Sequence, residues 1–274
     1  MDYSFKTFLK HTAKDFHNQS VNPPVVRAST IIFKSMQDLR RTQRMALKKP
    51  LGGHHDYGRK GTSTTFILQK ILTKLEESYN VFLTPTGFGS VFLSIFSVTR
   101  PGDEILISDP LYNPTRNLSE NYLKEFGIKT KFYNPHDLKS LEKSVTNKTK
   151  LIYVECPGSN TFEFQDLSKI ISIAKKNNIF TAIDNTWATP YFLKPIKLGF
   201  DMSIVSATKY YSGHSDVMGG SLAVNKKVYK HVKKADEILG LRLGPDDAYL
   251  ITRGLRTLDI RLDKHESNAK KVCE

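Results

Sequence analysis

Residues 201–216 read DMSIVSATKYYSGHSD. The run DMSIV has the length and composition of a strand, with Met202, Ile204 and Ser206 on one face, so Lys209 falls where that strand gives way to a loop. Open α/β sheets bind their ligands beyond the carboxyl ends of their strands. Lys209 is therefore either a surface lysine after an edge strand or part of a site, and the surrounding sequence decides which.

Upstream, short apolar runs alternate with amphipathic stretches. TSTTFILQKILTKLEE carries Phe66, Leu68, Ile71, Leu72 and Leu75 near helical spacing, with Ser and Thr at its start able to cap it. VFLT turns through PTG into SVFLSIFSV; then EILIS, RNLSENYLKEF, KTKFY, HDLKSLEKSV, KLIYVEC, LSKIISIAKKN, IFTAID, MSIV and SLAVN follow in order. Apolar strands alternating with helices imply an α/β fold, a mostly parallel sheet covered by helices on both faces. Residues 1–60, with VNPPVV and KKPLGGHH, have no sustained period and read as an irregular arm. Beyond residue 226 the chain reads helical.

Composition narrows the function. The 274 residues suffice for a sizeable core without disulfide or metal support. The two cysteines, Cys156 and Cys273, have no metal-ligand spacing, and His54 and His55 are adjacent, so no metal site is expected. The absence of a signal-like segment and the cysteine usage point to a cytoplasmic setting without a membrane span. A formal charge of +14, from 41 basic and 27 acidic residues, raises polyanion binding. The lysines are scattered over helical stretches and no nucleic-acid-binding pattern accompanies them, so nucleic acid is not an expected partner.

Familiar nucleotide and nucleophile patterns fail. GFGSVF has Phe92 where a dinucleotide fingerprint needs its third glycine, GHHDYGRK has Arg59 where a P-loop needs lysine, and GHSDV lacks the second glycine of a hydrolase elbow. A different constellation survives. Asp184 ends IFTAI as Lys209 follows DMSIV, and neighbouring parallel strands bring both to one rim. An acid at a strand end needs a cationic or protonated partner. Pyridoxal 5'-phosphate asks for this pair, its aldehyde joined to a lysine and its ring nitrogen held by an aspartate. Gly87 and Phe88 open a helix whose N–H groups can face the phosphate; Ser206 and Thr208 offer hydroxyls, and Tyr112 is placed to stack on the ring.

The stretches YGRKGTST, PTGFGS, DPLYNPT, ECPGS, IDNTWATP, ATKYYSGHSD, GPDDAYLITRGLRTLDIRL and HES resemble the Cys/Met-metabolism (trans-sulfuration) family of pyridoxal-phosphate enzymes. Trp187 and the Gly158-Ser159 pair are most like its bacterial cystathionine β-lyase branch. The resemblance implies fold type I of the pyridoxal-phosphate transferases. It makes Lys209 the Schiff-base lysine and proton shuttle, Asp184 the pyridinium partner and Tyr112 the stacking residue, with Gly87, Phe88, Ser206 and Thr208 on the phosphate. Tyr57 and Arg59 would reach that phosphate from a neighbouring subunit, so a homodimer or homotetramer is implied.

The implied reaction is cleavage of cystathionine to homocysteine, pyruvate and ammonia. γ-Synthase or γ-lyase chemistry and a catalytically impaired member are the alternatives. The implied organisation is an arm over residues 1–60, a cofactor-binding domain over 61–255, and the start of a truncated C-terminal domain over 256–274. In relatives that smaller domain supplies an arginine for the substrate carboxylate, to which no position here corresponds; a companion chain supplying it is a further expectation.

Overall fold

A computed structural model describes residues 4–12, 20–48 and 56–274. His54 and His55 lie outside the described residues. Each apolar run forms a strand: β1 (Asn80–Thr84), β2 (Glu104–Ser108), β3 (Lys129–Tyr133), β4 (Thr149–Glu155), β5 (Phe180–Asp184), β6 (Met202–Val205) and β7 (Gly220–Val224). They make one seven-stranded sheet in the order β1-β7-β6-β5-β4-β2-β3. Only β7 runs against its neighbours, pairing antiparallel with β1 and β6. The ends of β1, β2, β4, β5 and β6, and the start of β7, therefore share one rim.

Strand periodicity sorts side chains between the two faces. Met202 and Ile204 join Phe82, Ile107, Tyr153 and Leu222 in one apolar cluster, whereas Val205 joins Val81 and Ala223 in another. The central strands are buried on both faces, hence their nearly continuous apolar sequence.

Helices supply the covers. In Leu167–Lys176, Asp166 caps the N-terminus by accepting from the Lys169 N–H at 2.9 Å, and Ile170, Ile171, Ile173 and Ala174 are buried. Each such isoleucine contributes about 1.5–3 kcal/mol by leaving water. The helix Ser63–Leu75 buries Leu68, Ile71, Leu72 and Leu75, and its entry is fixed by the Thr62 N–H donating to Thr65 Oγ1 at 2.9 Å. The helix Gly87–Val98 starts directly after β1, with Thr86 Oγ1 accepting from the Gly89 N–H at 2.9 Å.

The N-terminal arm differs from its irregular reading: it contains helices at Phe5–Lys10 and Met36–Lys48. A six-residue helix has little stability of its own. Tertiary contacts hold it, with Leu9 buried and Lys6 and Lys10 paired at 2.6 Å with Asp263 and Asp259. Those acids belong to the helix Leu258–Cys273, whose Leu258 and Leu262 are buried against the same core as the helix Pro245–Leu255. Among the described residues no helix is long and apolar enough to cross a membrane, and no cluster of side chains could hold a metal ion.

Candidate active site

The rim of the sheet gathers most of the residues singled out in the sequence. Gly87, at the start of its helix, lies so close to the loop after β6 that a Cβ there would sit 2.5 Å from Ser206 Oγ. The Gly87 and Phe88 N–H groups have no acceptor within the chain among the described residues. Two unpaired donors at a helix N-terminus beside a serine hydroxyl form a cradle for an anion. Absence of a side chain at Gly87 is what lets helix and loop approach this closely.

Ser206 is also stitched to the neighbouring strand end, its N–H donating to Thr186 Oγ1 at 2.8 Å. Asp184 ends β5 in register with Ile204 of β6 and Glu155 of β4. Burial raises its pKa, opposed by hydrogen bonds from Thr186, whose N–H donates to Asp184 Oδ1 at 3.0 Å. No ion pair to Asp184 forms among the described residues. A half-buried carboxyl with a hydrogen-bond donor but no cation is suited to a protonated ring nitrogen. On the far side, the Tyr112 N–H donates to Glu155 Oε2 at 2.7 Å, leaving the Tyr112 ring half exposed above the rim.

Lys209 follows Ser206 by one turn, its N–H donating to Ser206 O at 3.1 Å. It opens into a cleft of about 590 Å³ lined also by Thr208, Tyr210, Asp216, Arg261 and His265. Asp184, Tyr112 and Gly87 do not line that cleft, so the candidate residues share a rim and not one enclosed cavity. Thr208 is committed elsewhere: its hydroxyl donates to Gly219 O at 3.2 Å and accepts from the Gly219 N–H at 3.1 Å. Tyr57 and Arg59 lie apart from the cleft. Tyr57 bridges to Thr30, and Arg59 Nη1 donates to Glu237 O at 3.0 Å.

Two contributors went unassigned in the sequence. Thr186 couples the ends of β5 and β6, and Glu155 couples β4 to the Tyr112 turn. Their only sequence signal is a polar residue ending or following an apolar run, in KLIYVEC and IFTAIDNT. Phe162 and Trp187 form a half-exposed edge-to-face pair with centroids 5.1 Å apart on the loops after β4 and β5.

A family model described as Cys/Met metabolism PLP-dependent enzyme matches residues 6–274. A cystathionine beta-lyase from Haemophilus influenzae is 34% identical over 276 residues, covering 99% of this chain and 69% of that protein. An L-methionine gamma-lyase from Fusobacterium nucleatum subsp. polymorphum is 35% identical over 254 residues, covering 92% of this chain and 63% of that one. The crystal structure of cystathionine gamma-lyase from Lactobacillus plantarum, complexed with L-serine, superimposes with a TM-score of 0.89 at 28% identity, covering 98% of this chain and 68% of that one. The chain belongs to the Cys/Met-metabolism family of pyridoxal-phosphate-dependent enzymes, has its fold type I architecture, and takes pyridoxal phosphate as its cofactor. It spans about two thirds of the length of the curated relatives it matches.

Proposed function

We propose that the chain is a carbon–sulfur lyase that cleaves cystathionine by β-elimination, consuming water and yielding homocysteine, pyruvate and ammonia. The observation that supports the cofactor site in this reading is the linkage along the rim from Gly87 through Ser206 and Thr186 to Asp184, and from Glu155 to Tyr112. In this reading the N–H groups of Gly87 and Phe88 and the Ser206 hydroxyl hold the phosphate, and Asp184 faces the ring nitrogen. Thr208 joins the phosphate only by releasing Gly219. Residues 61–255 form the cofactor-binding domain, and residues 1–60 the arm that brings Tyr57 and Arg59 to the phosphate of a second copy.

Bound pyridoxal phosphate supplies an electron sink for the pair left on a substrate Cα when its proton departs. Lys209, whose main chain is tied to Ser206 beside the phosphate cradle, would take that proton on Nζ as the neutral amine. The Tyr112 hydroxyl would accept a hydrogen bond from the substrate amine. Asp184, half-buried and without a cation of its own among the described residues, would stabilise a positive charge on the ring nitrogen of a bound cofactor.

The resemblance of the chain at Trp187 and the Gly158-Ser159 pair to the β-lyase branch, with beta-lyases among the relatives, is the support for β-elimination in this reading. The methionine and cystathionine gamma-lyases among them carry the competing chemistry. The test is the oxo acid released from cystathionine, separated by chromatography and identified by mass. Pyruvate supports the proposal, 2-oxobutyrate replaces it with γ-elimination, and cofactor uptake without any oxo acid leaves a cofactor-binding protein that is not a lyase.

A further inference from the structure

Glu155 ends an apolar strand, and none of the roles given to Lys209, Asp184 or Tyr112 uses it. Every polar group it carries is nevertheless engaged. Its N–H donates to Ser108 Oγ at 3.1 Å and its carbonyl accepts from Gln165 Nε2 at 3.0 Å. The carboxyl is divided between two loops: Oε2 accepts from the Tyr112 N–H at 2.7 Å, and Oε1 accepts from the Ser159 hydroxyl. The residue is only 9% exposed. Burial and the charge of Asp184 beside it push its pKa up to about 7.

A buried acid is a costly way to fill a strand end, and an apolar side chain of the same size would fill it with less penalty. What an apolar side chain cannot do is accept the Tyr112 N–H. That N–H belongs to the residue preceding the helix Asn113–Asn117, so the bond sets where the Tyr112 main chain leaves the rim. The two carboxyl oxygens hold the turns after β2 and β4 at a fixed distance from each other and from Asp184, in register on the next strand.

We propose that Glu155 is a positioning residue that fixes the Tyr112 main chain, and through it the aromatic ring, against the cofactor while anchoring Ser159. The proposal rests on the ring-facing role assigned to Tyr112. Glu155→Gln and Glu155→Met separate positioning from packing. Gln keeps an acceptor for the Tyr112 N–H and turns an amide donor toward Ser159 Oγ, which can accept it; Met keeps volume alone.

Hydrogen exchange at the Tyr112 amide, measured without cofactor, is expected to match the parent in Glu155→Gln and to be about tenfold faster in Glu155→Met. Affinity for pyridoxal phosphate, followed by visible absorption, is expected to be retained in Glu155→Gln. It is expected to fall about tenfold in Glu155→Met, and that fall is expected to vanish in a Tyr112→Ala background. Equal exchange in both variants, or an undiminished Glu155→Met penalty without the Tyr112 ring, overturns the proposal. Should Glu155→Met not fold, Glu155→Asp, which keeps the charge but shortens the reach, replaces it with the same expected losses. If the parent takes up no pyridoxal phosphate, the functional reading fails, while the exchange comparison still decides the role of Glu155.

Discussion

Replacing Gly87 with alanine places a methyl group 2.5 Å from Ser206 Oγ and 2.6 Å from Ser206 Cβ. Rotating the serine cannot relieve this, because the Ser206 Cα is itself only 3.0 Å away. Either the first turn of the helix or the loop that carries Lys209 must move. Overpacking of this kind costs about 1–3 kcal/mol. Alanine's better helix propensity offsets at most about 1 kcal/mol of that. With that offset, a net loss of up to about 2 kcal/mol lowers the melting temperature by up to about 8 °C in a chain of this size.

The cofactor feels the shift more strongly, because the displaced groups are those proposed to hold its phosphate. Losing one charge-assisted hydrogen bond weakens binding by about tenfold or more. The assay is a pyridoxal phosphate titration by absorption, paired with thermal melts with and without cofactor. A Gly87→Ala chain that binds and melts as the parent does would refute the reasoning that helix and loop meet at the phosphate.

Gly254→Ala would bring a Cβ to 2.2 Å from the Ser212 carbonyl oxygen and 2.3 Å from that of Tyr211; a loss of about 3 kcal/mol is expected in denaturant melts. Glu76 is fully buried, with Oε1 accepting from the Tyr211 hydroxyl at 3.1 Å, and burial lifts its pKa from 4.5 to about 7. The folded chain therefore holds a proton that the unfolded chain has lost, so stability falls as pH rises between those values. The fall amounts to about 3 kcal/mol; urea melts at pH 5 and pH 8 should show a loss smaller by about that amount in Glu76→Gln than in the parent, Glu155 keeping its own share in both, and equal pH dependence would contradict it. Arg59→Ala is expected to weaken pyridoxal phosphate binding about tenfold. Mixing that variant with Lys209→Ala should restore intact sites if Arg59 acts across a subunit boundary, and no restoration would count against that placement.

Physical origin explains which parts were legible in the sequence. The strands stand out because a sheet buried on both faces needs unbroken apolar runs, and Ile105, Leu106 and Ile107 or Ile152, Tyr153 and Val154 provide them. The reversal of β7 is not legible, because strand composition does not encode direction. The helix Phe5–Lys10 was missed because it depends on Lys6 and Lys10 meeting acids some 250 positions away. Asp184 and Lys209 were legible as polar residues at strand ends; Glu155, in the same kind of position, was not singled out, because its meaning lies in two loops that only the fold brings to it. Thr208 shows the converse, a hydroxyl at the expected position already bonded to Gly219.

The proposed function requires the Lys209 amine to hold the aldehyde of pyridoxal phosphate, the role its sequence context implies. Loading the chain with pyridoxal phosphate, reducing it with borohydride, digesting it and locating the retained pyridoxyl group by mass spectrometry tests this directly. That group is expected on the peptide containing Lys209, and none in Lys209→Ala treated in parallel. A pyridoxyl group on other lysines alone, or equal labelling of the two chains, would contradict it.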